Sequence, residues 1–259
     1  MPPREHISYS ELKDWAHCPH YHNKSWVEKV APFEGNEYTA FGSAIHDVCE
    51  KKLLKEDINE AELFQLGFAK RLQDLVEKKI EFNATNVQQM KVAGPAILAE
   101  VEEALEDYFG EYEVFSSEEM LYVPIENFNI FFKGFVDAVV KVGDTYHLFD
   151  WKTCSWGWDS RKKAEKLITY QLTLYKHFFC LKHKIDPAQV ETHFALLKRT
   201  AKKGRVEIFR VTSGPKKTEN ALKLLYQAIY NITKKFAIKN RLHCHKPYPC
   251  KLLNTEHCR

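Results

Sequence analysis

The 259-residue chain carries 38 Lys and Arg against 35 Asp and Glu, a net charge of +3, and 44% of its residues are hydrophobic. That balance sustains a sizeable globular core and excludes a disordered or low-complexity chain. No run reaches the roughly 18 apolar residues of a membrane span and MPPREHISYS lacks the apolar centre of a signal peptide, so no membrane partner and an intracellular location are expected.

Charge and cysteine placement add to this. Residues 1–130 hold 12 basic and 25 acidic residues, a net of −13, whereas residues 131–259 hold 26 and 10, a net of +16. The basic half includes RKKAEK (161–166), KRTAKKGR (198–205) and KKFAIKNR (234–241), and such a field attracts a phosphate backbone. Each run alone would be an ordinary solvated face. Seven cysteines without a secretory signal point to reduced thiols or metal ligands rather than a disulfide scaffold.

Taken in chain order, the first element is a helix announced by a capping box, Ser8 with Glu11, and by a staple of Ile7 with Leu12; it should end near His17, before Pro19. An irregular segment to about Glu37 and a helix over 40–54 follow. Residues 60–112 carry acidic helical patterning, interrupted near Asn83 and at Gly94-Pro95, and read as an insertion or cap over about 57–115. Strands are predicted at 119–126, 129–142 and 145–153, a helix at 162–183, strands at 190–198 and 205–211, and a helix at 214–238. The order implies an α/β fold, a mixed β-sheet flanked by helices with a helical insertion, in a single domain spanning 1–259. There is no Walker loop and no GxGxxG, so nucleotide hydrolysis and dinucleotide redox chemistry have no support.

The chemistry concentrates in YHLFDWKT (146–153). A period of two puts Tyr146, Leu148, Asp150 and Lys152 on one strand face. Gly143-Asp144 separates this strand from the preceding one and is a two-residue hairpin signal. With those two residues as the turn, Val142 pairs with Thr145 and Asp137 falls opposite Asp150. Carboxylates directly opposite each other repel. One acid is protonated, or a cation lies between them; Mg²⁺ favours one or two carboxylates together with waters and phosphate oxygens. Lys152 would then orient water or offset charge at phosphorus. The plainer alternative is a surface ion pair of Lys152 with Asp150.

Two helical residues join this set. His46, in helix 40–54, would supply a neutral imidazole beside the carboxylates. Gln171 is polar on an otherwise apolar face formed with Leu167, Ile168, Tyr175 and Phe178, and its amide needs partners: a lysine, a water, a phosphate or the backbone.

The ordered set GSAIH (42–46), GFVD (134–137), DWK (150–152) and QLTLY (171–175), led in by ISYSELKDWAHCPHYH, resembles the RecB-type, AddB-like branch of the PD-(D/E)XK nuclease superfamily. The resemblance covers most of the chain outside the block near 60–112; Val136 stands where the branch usually has proline. It implies a restriction-endonuclease-like fold and hydrolysis of DNA, as an exonuclease on ends or single strands in replication, recombination or repair. It further implies Mg²⁺ or Mn²⁺ at His46, Asp137 and Asp150 with the Trp151 backbone carbonyl nearby. Lys152 would help activate water, and Gln171 and Tyr175 would support the site or contact the strand. A free-standing nuclease is implied, in a bacterial cytoplasm or that of a phage-infected host, with a recombination or replication protein as partner.

In part of that branch, one N-terminal and three C-terminal cysteines hold a [4Fe–4S] cluster joining the chain's ends, which here implicates Cys18, Cys244, Cys250 and Cys258. Their C-terminal spacings, five and seven intervening residues, are looser than a CxxC pattern, and His243, His245 and His257 among them make zinc the rival. Cys49, Cys154 and Cys180 read as buried apolar residues. Two other functions stay open: a catalytically idle DNA-binding or assembly subunit, and a cluster- or zinc-based regulator. Trp156 and Trp158 either stack on bases or pack under the following helix.

Overall fold

The computed structural model describes residues 4–30, 33–245 and 250–258. They form two compact units: Met1–Phe33, Leu121–Gly134 and Gly214–Arg259 make the first, and Glu34–Met120 with Phe135–Ser213 the second. Among the described residues no helix is long and apolar enough to cross a membrane.

In the first unit, β1 (His6–Ser8), a strand the sequence did not disclose, pairs in parallel with Phe131–Lys133 at the start of β3 (Phe131–Val142). Ser8 then caps α1 (Tyr9–His17), accepting the Glu11 backbone N–H at 3.2 Å. Only this half of the expected capping box forms. The Glu11 carboxylate instead turns to Arg4 and to His22 Nε2, the latter at 2.7 Å, because both offer stronger, charge-assisted partners. His22 lies on α2 (Pro19–His22), which continues into a π-helical turn (Asn23–Val27) within a stretch that reads as irregular in sequence. The unit's last α-helix is α9 (Pro215–Thr233), followed by a 3-10 turn at Arg241–His243.

The second unit holds a mixed sheet. β3 and β4 (Thr145–Cys154) form an antiparallel hairpin, β4 runs parallel to β5 (Val190–Lys198), and β5 pairs antiparallel with β6 (Val206–Val211). β2 (Glu113–Pro124) pairs with β3 and, like it, has residues in both units. Gly143 takes the left-handed φ of 56° that the first central residue of a two-residue hairpin requires.

Helices cover both faces of this sheet. On one, the helix expected over 162–183 is split at Glu165 into α7 (Ser160–Ala164) and α8 (Lys166–His183), and α8 packs Leu172 with Phe194 and Leu196. On the other lie α3 (Glu37–Leu53), α4 (Glu60–Glu77), α5 (Ala84–Leu98) and α6 (Val101–Phe109), which share a core with Ala138, Val140, Phe149, Trp151, Ala195 and Leu197. The acidic helical block is thus built into the sheet's own core. Phe41, Phe64 and Phe68 are fully buried there, each worth about 1.5–3 kcal/mol of apolar transfer. The chain breaks after Leu98 and not at Gly94-Pro95: Gly94 lies against Phe64, where a Cβ would come within 2.3 Å of the ring, and the Lys91 carbonyl that Pro95 cannot serve accepts Gln65 Nε2–H at 2.8 Å.

The buried Glu11–His22 pair generates a prediction for the first unit. Glu11→Ala leaves His22 buried without its carboxylate and should cost about 3 kcal/mol, read by chemical denaturation. Burial opposes ionisation of Glu11, but His22 and Arg4 outweigh it and hold its pKa below the ordinary 4.5. In the wild type this stabilisation should therefore be complete above about pH 4.5 and fade as pH falls through the lowered value.

Candidate functional site

The hairpin register, observed from Val142↔Thr145 to Ala138↔Phe149, brings Asp137 and Asp150 to opposing positions one step further on, as the turn predicts. The two carboxylates are held by different partners. Asp137 Oδ2 accepts the Trp151 backbone N–H at 2.7 Å, and Asp150 Oδ1 accepts Gln171 Nε2–H at 2.7 Å. Gln171 Nε2 also lies 3.3 Å from the Tyr175 hydroxyl, so one amide on α8 links two of the expected residues. Lys152 Nζ sits 2.5 Å from Asp150 Oδ2 but is not aligned as a hydrogen-bond donor to it. The ion pair is real, yet it is no surface pair: Asp150 is 2% exposed.

α3 delivers the imidazole. It approaches β4 closely at Gly42, where an added Cβ would stand 3.3 Å from Thr153 Oγ1, and His46 follows one helical turn later. Its Nδ1 is 3.5 Å from Asp137 Oδ2, and its ring also hydrogen-bonds the Trp151 backbone. Although 27% of the His46 side-chain surface is exposed, its ring is densely surrounded, and desolvation brings its pKa down to about 4. The imidazole is therefore neutral at pH 7, with a lone pair to offer.

The acids feel the opposite pressure. Burial, and then the charge of Asp150, raises the Asp137 pKa well above the usual carboxylate value. Glu118 on β2 is raised too, by burial and by Glu50, Asp47 and Asp150, and it acts in turn on Asp137. Sequence reasoning missed Glu118; its φ of 49° in mid-strand is a backbone departure that no residue pattern announces. The site thus combines one buried and one half-buried carboxylate, a further acid, a neutral imidazole and an Asp150 oxygen that faces the Lys152 ammonium. Such a donor set fits a hard divalent cation, with His46, Asp137, Asp150 and the Trp151 backbone as the residues able to hold it.

The first unit contains a separate constellation. Cys18, Cys244, Cys250 and Cys258 line one cavity of about 190 Å³, together with His17, His20 and His243. None is in a disulfide. Asn240 N–H donates to Cys18 Sγ at 3.4 Å, and Cys250 N–H donates to the Cys244 carbonyl at 2.8 Å. The Cys244 thiol is pushed up by burial and by the other three sulfurs around it. Four convergent thiols suit an iron–sulfur cluster or a zinc ion.

Of the other singled-out residues, Cys49 and Cys180 are buried and Cys154 half-buried. Trp158 packs against Phe194 and Phe209, whereas Trp156, just past the end of β4, is 73% exposed. In the basic runs, Lys163 and Lys198 pair with Glu207 and Arg205 with Glu100, while Arg161, Lys162, Lys202 and Lys203 are exposed. Among the described residues, three donor groups crowd together elsewhere: His147, Glu191 and His193, which sequence reasoning also missed, since only the parallel register of β4 with β5 brings them together.

Comparison with known proteins agrees with this architecture. A family model described as the PD-(D/E)XK nuclease superfamily matches residues 6–254. No curated protein matches. Among solved structures, a "Putative exonuclease" from Eubacterium rectale aligns with a TM-score of 0.57 at 15% identity, over 96% of this chain and 86% of that one, a likeness of fold. A second, SSO0001, reaches a TM-score of 0.39 at 11% identity over 92% and 85% of the two chains, too low to carry an argument.

Proposed function

The chain belongs to the PD-(D/E)XK nuclease superfamily, and from that premise we propose that it is a divalent-cation-dependent deoxyribonuclease acting as an exonuclease on DNA ends or single strands. The observation that carries the reading is the hairpin that sets Asp137 opposite Asp150, with neutral His46 3.5 Å from Asp137 and Lys152 2.5 Å from Asp150. Mg²⁺ or Mn²⁺ would be held by His46, Asp137 and Asp150 with the Trp151 backbone. When bound, such an ion supplies Lewis acidity toward a phosphoryl oxygen and makes water more acidic.

The residues divide the remaining work. Trp151 N–H and Gln171 fix the orientations of Asp137 and Asp150, so neither carboxylate swings away. Lys152 orients the attacking water and offsets the negative charge building on the phosphoryl oxygens as the water oxygen bonds to phosphorus and gives its proton to solvent, while the opposite P–O bond breaks and the departing oxygen takes a proton from solvent. Tyr175 supports Gln171 from one turn along α8. Trp156 offers an exposed ring just past the catalytic strand, on which an unpaired base can stack, and this favours ends and single strands. The exposed lysines and Arg161 would follow the backbone.

Both units belong, in this reading, to one nuclease domain. Cys18, Cys244, Cys250 and Cys258 hold a [4Fe–4S] cluster that ties the chain's ends, supported by their convergence on one cavity. The task is in DNA replication, recombination or repair inside the cell, alongside a protein of that process.

Anaerobically purified protein with end-labelled single- and double-stranded DNA tests the activity. Cleavage should require Mg²⁺ or Mn²⁺, release label from one end, and vanish in Asp150→Asn; equal DNA binding without cleavage by both proteins would instead favour the idle subunit. Gln171→Leu tests the positioning role. It should lower kcat about 10–100-fold with KM for DNA little changed, and Gln171→Asn should recover less than the wild-type rate because the shorter amide cannot span to Asp150.

A further inference from the structure

His147, Glu191 and His193 form the second cluster of note in the sheet-bearing unit. β4 and β5 run parallel with His147 opposite Glu191 and Phe149 opposite His193, which puts all three side chains near the starts of the two strands. They face α6, on the sheet side opposite to Asp150. The distances among them are specific. His147 Nδ1 lies 3.1 Å from His193 Nε2, and Glu191 Oε2 lies 3.8 Å from His147 Nδ1 and 3.9 Å from His193 Nε2.

The imidazole pair alone could be one hydrogen bond between neutral rings. The carboxylate is what that account leaves out: its oxygen points at both nitrogens from beyond hydrogen-bond range. Three donors each about 2.0–2.1 Å from a tetrahedral ion stand about 3.3–3.4 Å apart, and the observed edges bracket that figure. The outer atoms are already oriented. Tyr108 Oη is 3.3 Å from His193 Nδ1, and Arg210 holds Glu191 Oε1 at 2.8 Å, leaving Oε2 toward the rings. Such partners are what metal-ligating histidines and carboxylates carry. Phe109 packs its ring 5.1 Å from His147 and 5.3 Å from His193, while Glu191 keeps a quarter of its surface in solvent, so the cluster is walled on one side and open on the other.

We propose that His147, Glu191 and His193 form a second metal site, selective for a borderline divalent transition ion of the zinc class and separate from the hard-cation nuclease site. Two imidazoles and one carboxylate match the ligand chemistry of such ions better than that of Mg²⁺. Bound there, the ion cross-links β4 to β5 three residues before Asp150. The site steadies the strand that carries the nuclease carboxylate.

The test is titration of the full chain with Zn²⁺ in saturating Mg²⁺, by calorimetry, with parallel Co²⁺ spectra that separate thiolate-bound ions from nitrogen- and oxygen-bound ones. Wild type should bind one equivalent without a thiolate signature. Glu191→Gln, at a partly exposed position, and His147→Ala should each weaken that equivalent by more than about 100-fold, and Tyr108→Phe by about 10-fold, the range of an orienting partner. The thiolate signal should be unchanged in all three. Retention of the equivalent at wild-type affinity in folded Glu191→Gln, confirmed by circular dichroism, would overturn the proposal. So would a wild type whose only bound zinc is thiolate-ligated.

Discussion

Two like charges set face to face by a two-residue turn are the constraint on which the rest of the structure depends. Gly143-Asp144 fixes the register of β3 against β4, and the register leaves Asp137 and Asp150 no choice but to share a face. In a partly buried setting this costs free energy, expressed in the raised proton affinity of Asp137. A fold that only sought stability would place apolar residues there.

The surroundings answer that cost piece by piece. Gln171 and Lys152 take the two oxygens of Asp150, the Trp151 N–H takes one oxygen of Asp137, and His46 comes in from α3 because Gly42 lets that helix close on β4. None of these removes the negative charge excess, to which Glu118 adds. What they do is hold acids, lysine and imidazole in one arrangement before any substrate arrives, and such preorganisation is what phosphodiester hydrolysis asks of a protein. Superfamily membership and local geometry therefore point the same way from independent starting points.

Much of this was legible in the chain because it follows short-range rules. The turn, the period-two faces and the helical spacing of Gln171 with Tyr175 are local, and the structure brings those residues together. Features that depend on pairing between distant segments were not legible. Glu11 abandons half of its capping box for His22, eleven residues on, and for Arg4. Glu118, itself in a left-handed conformation within β2, acts on Asp137 by charge. His147 and His193 meet only through the parallel register of β4 with β5, and Pro95, a helix breaker by local rules, lies within α5 where Gln65 of α4 serves the Lys91 carbonyl it leaves open. Tertiary contacts outweighed local preference at each of these places.

The central claim is that the opposed carboxylates are kept for a cation and not for the fold. It is tested most directly by the thermal stability of Asp137→Asn beside wild type, in chelator and then in excess Mn²⁺; the asparagine oxygen can still accept the Trp151 N–H. The account predicts a variant at least as stable as wild type in chelator, and stabilisation by Mn²⁺ in the wild type alone. A variant that is less stable in chelator and gains as much from Mn²⁺ as the wild type would contradict it.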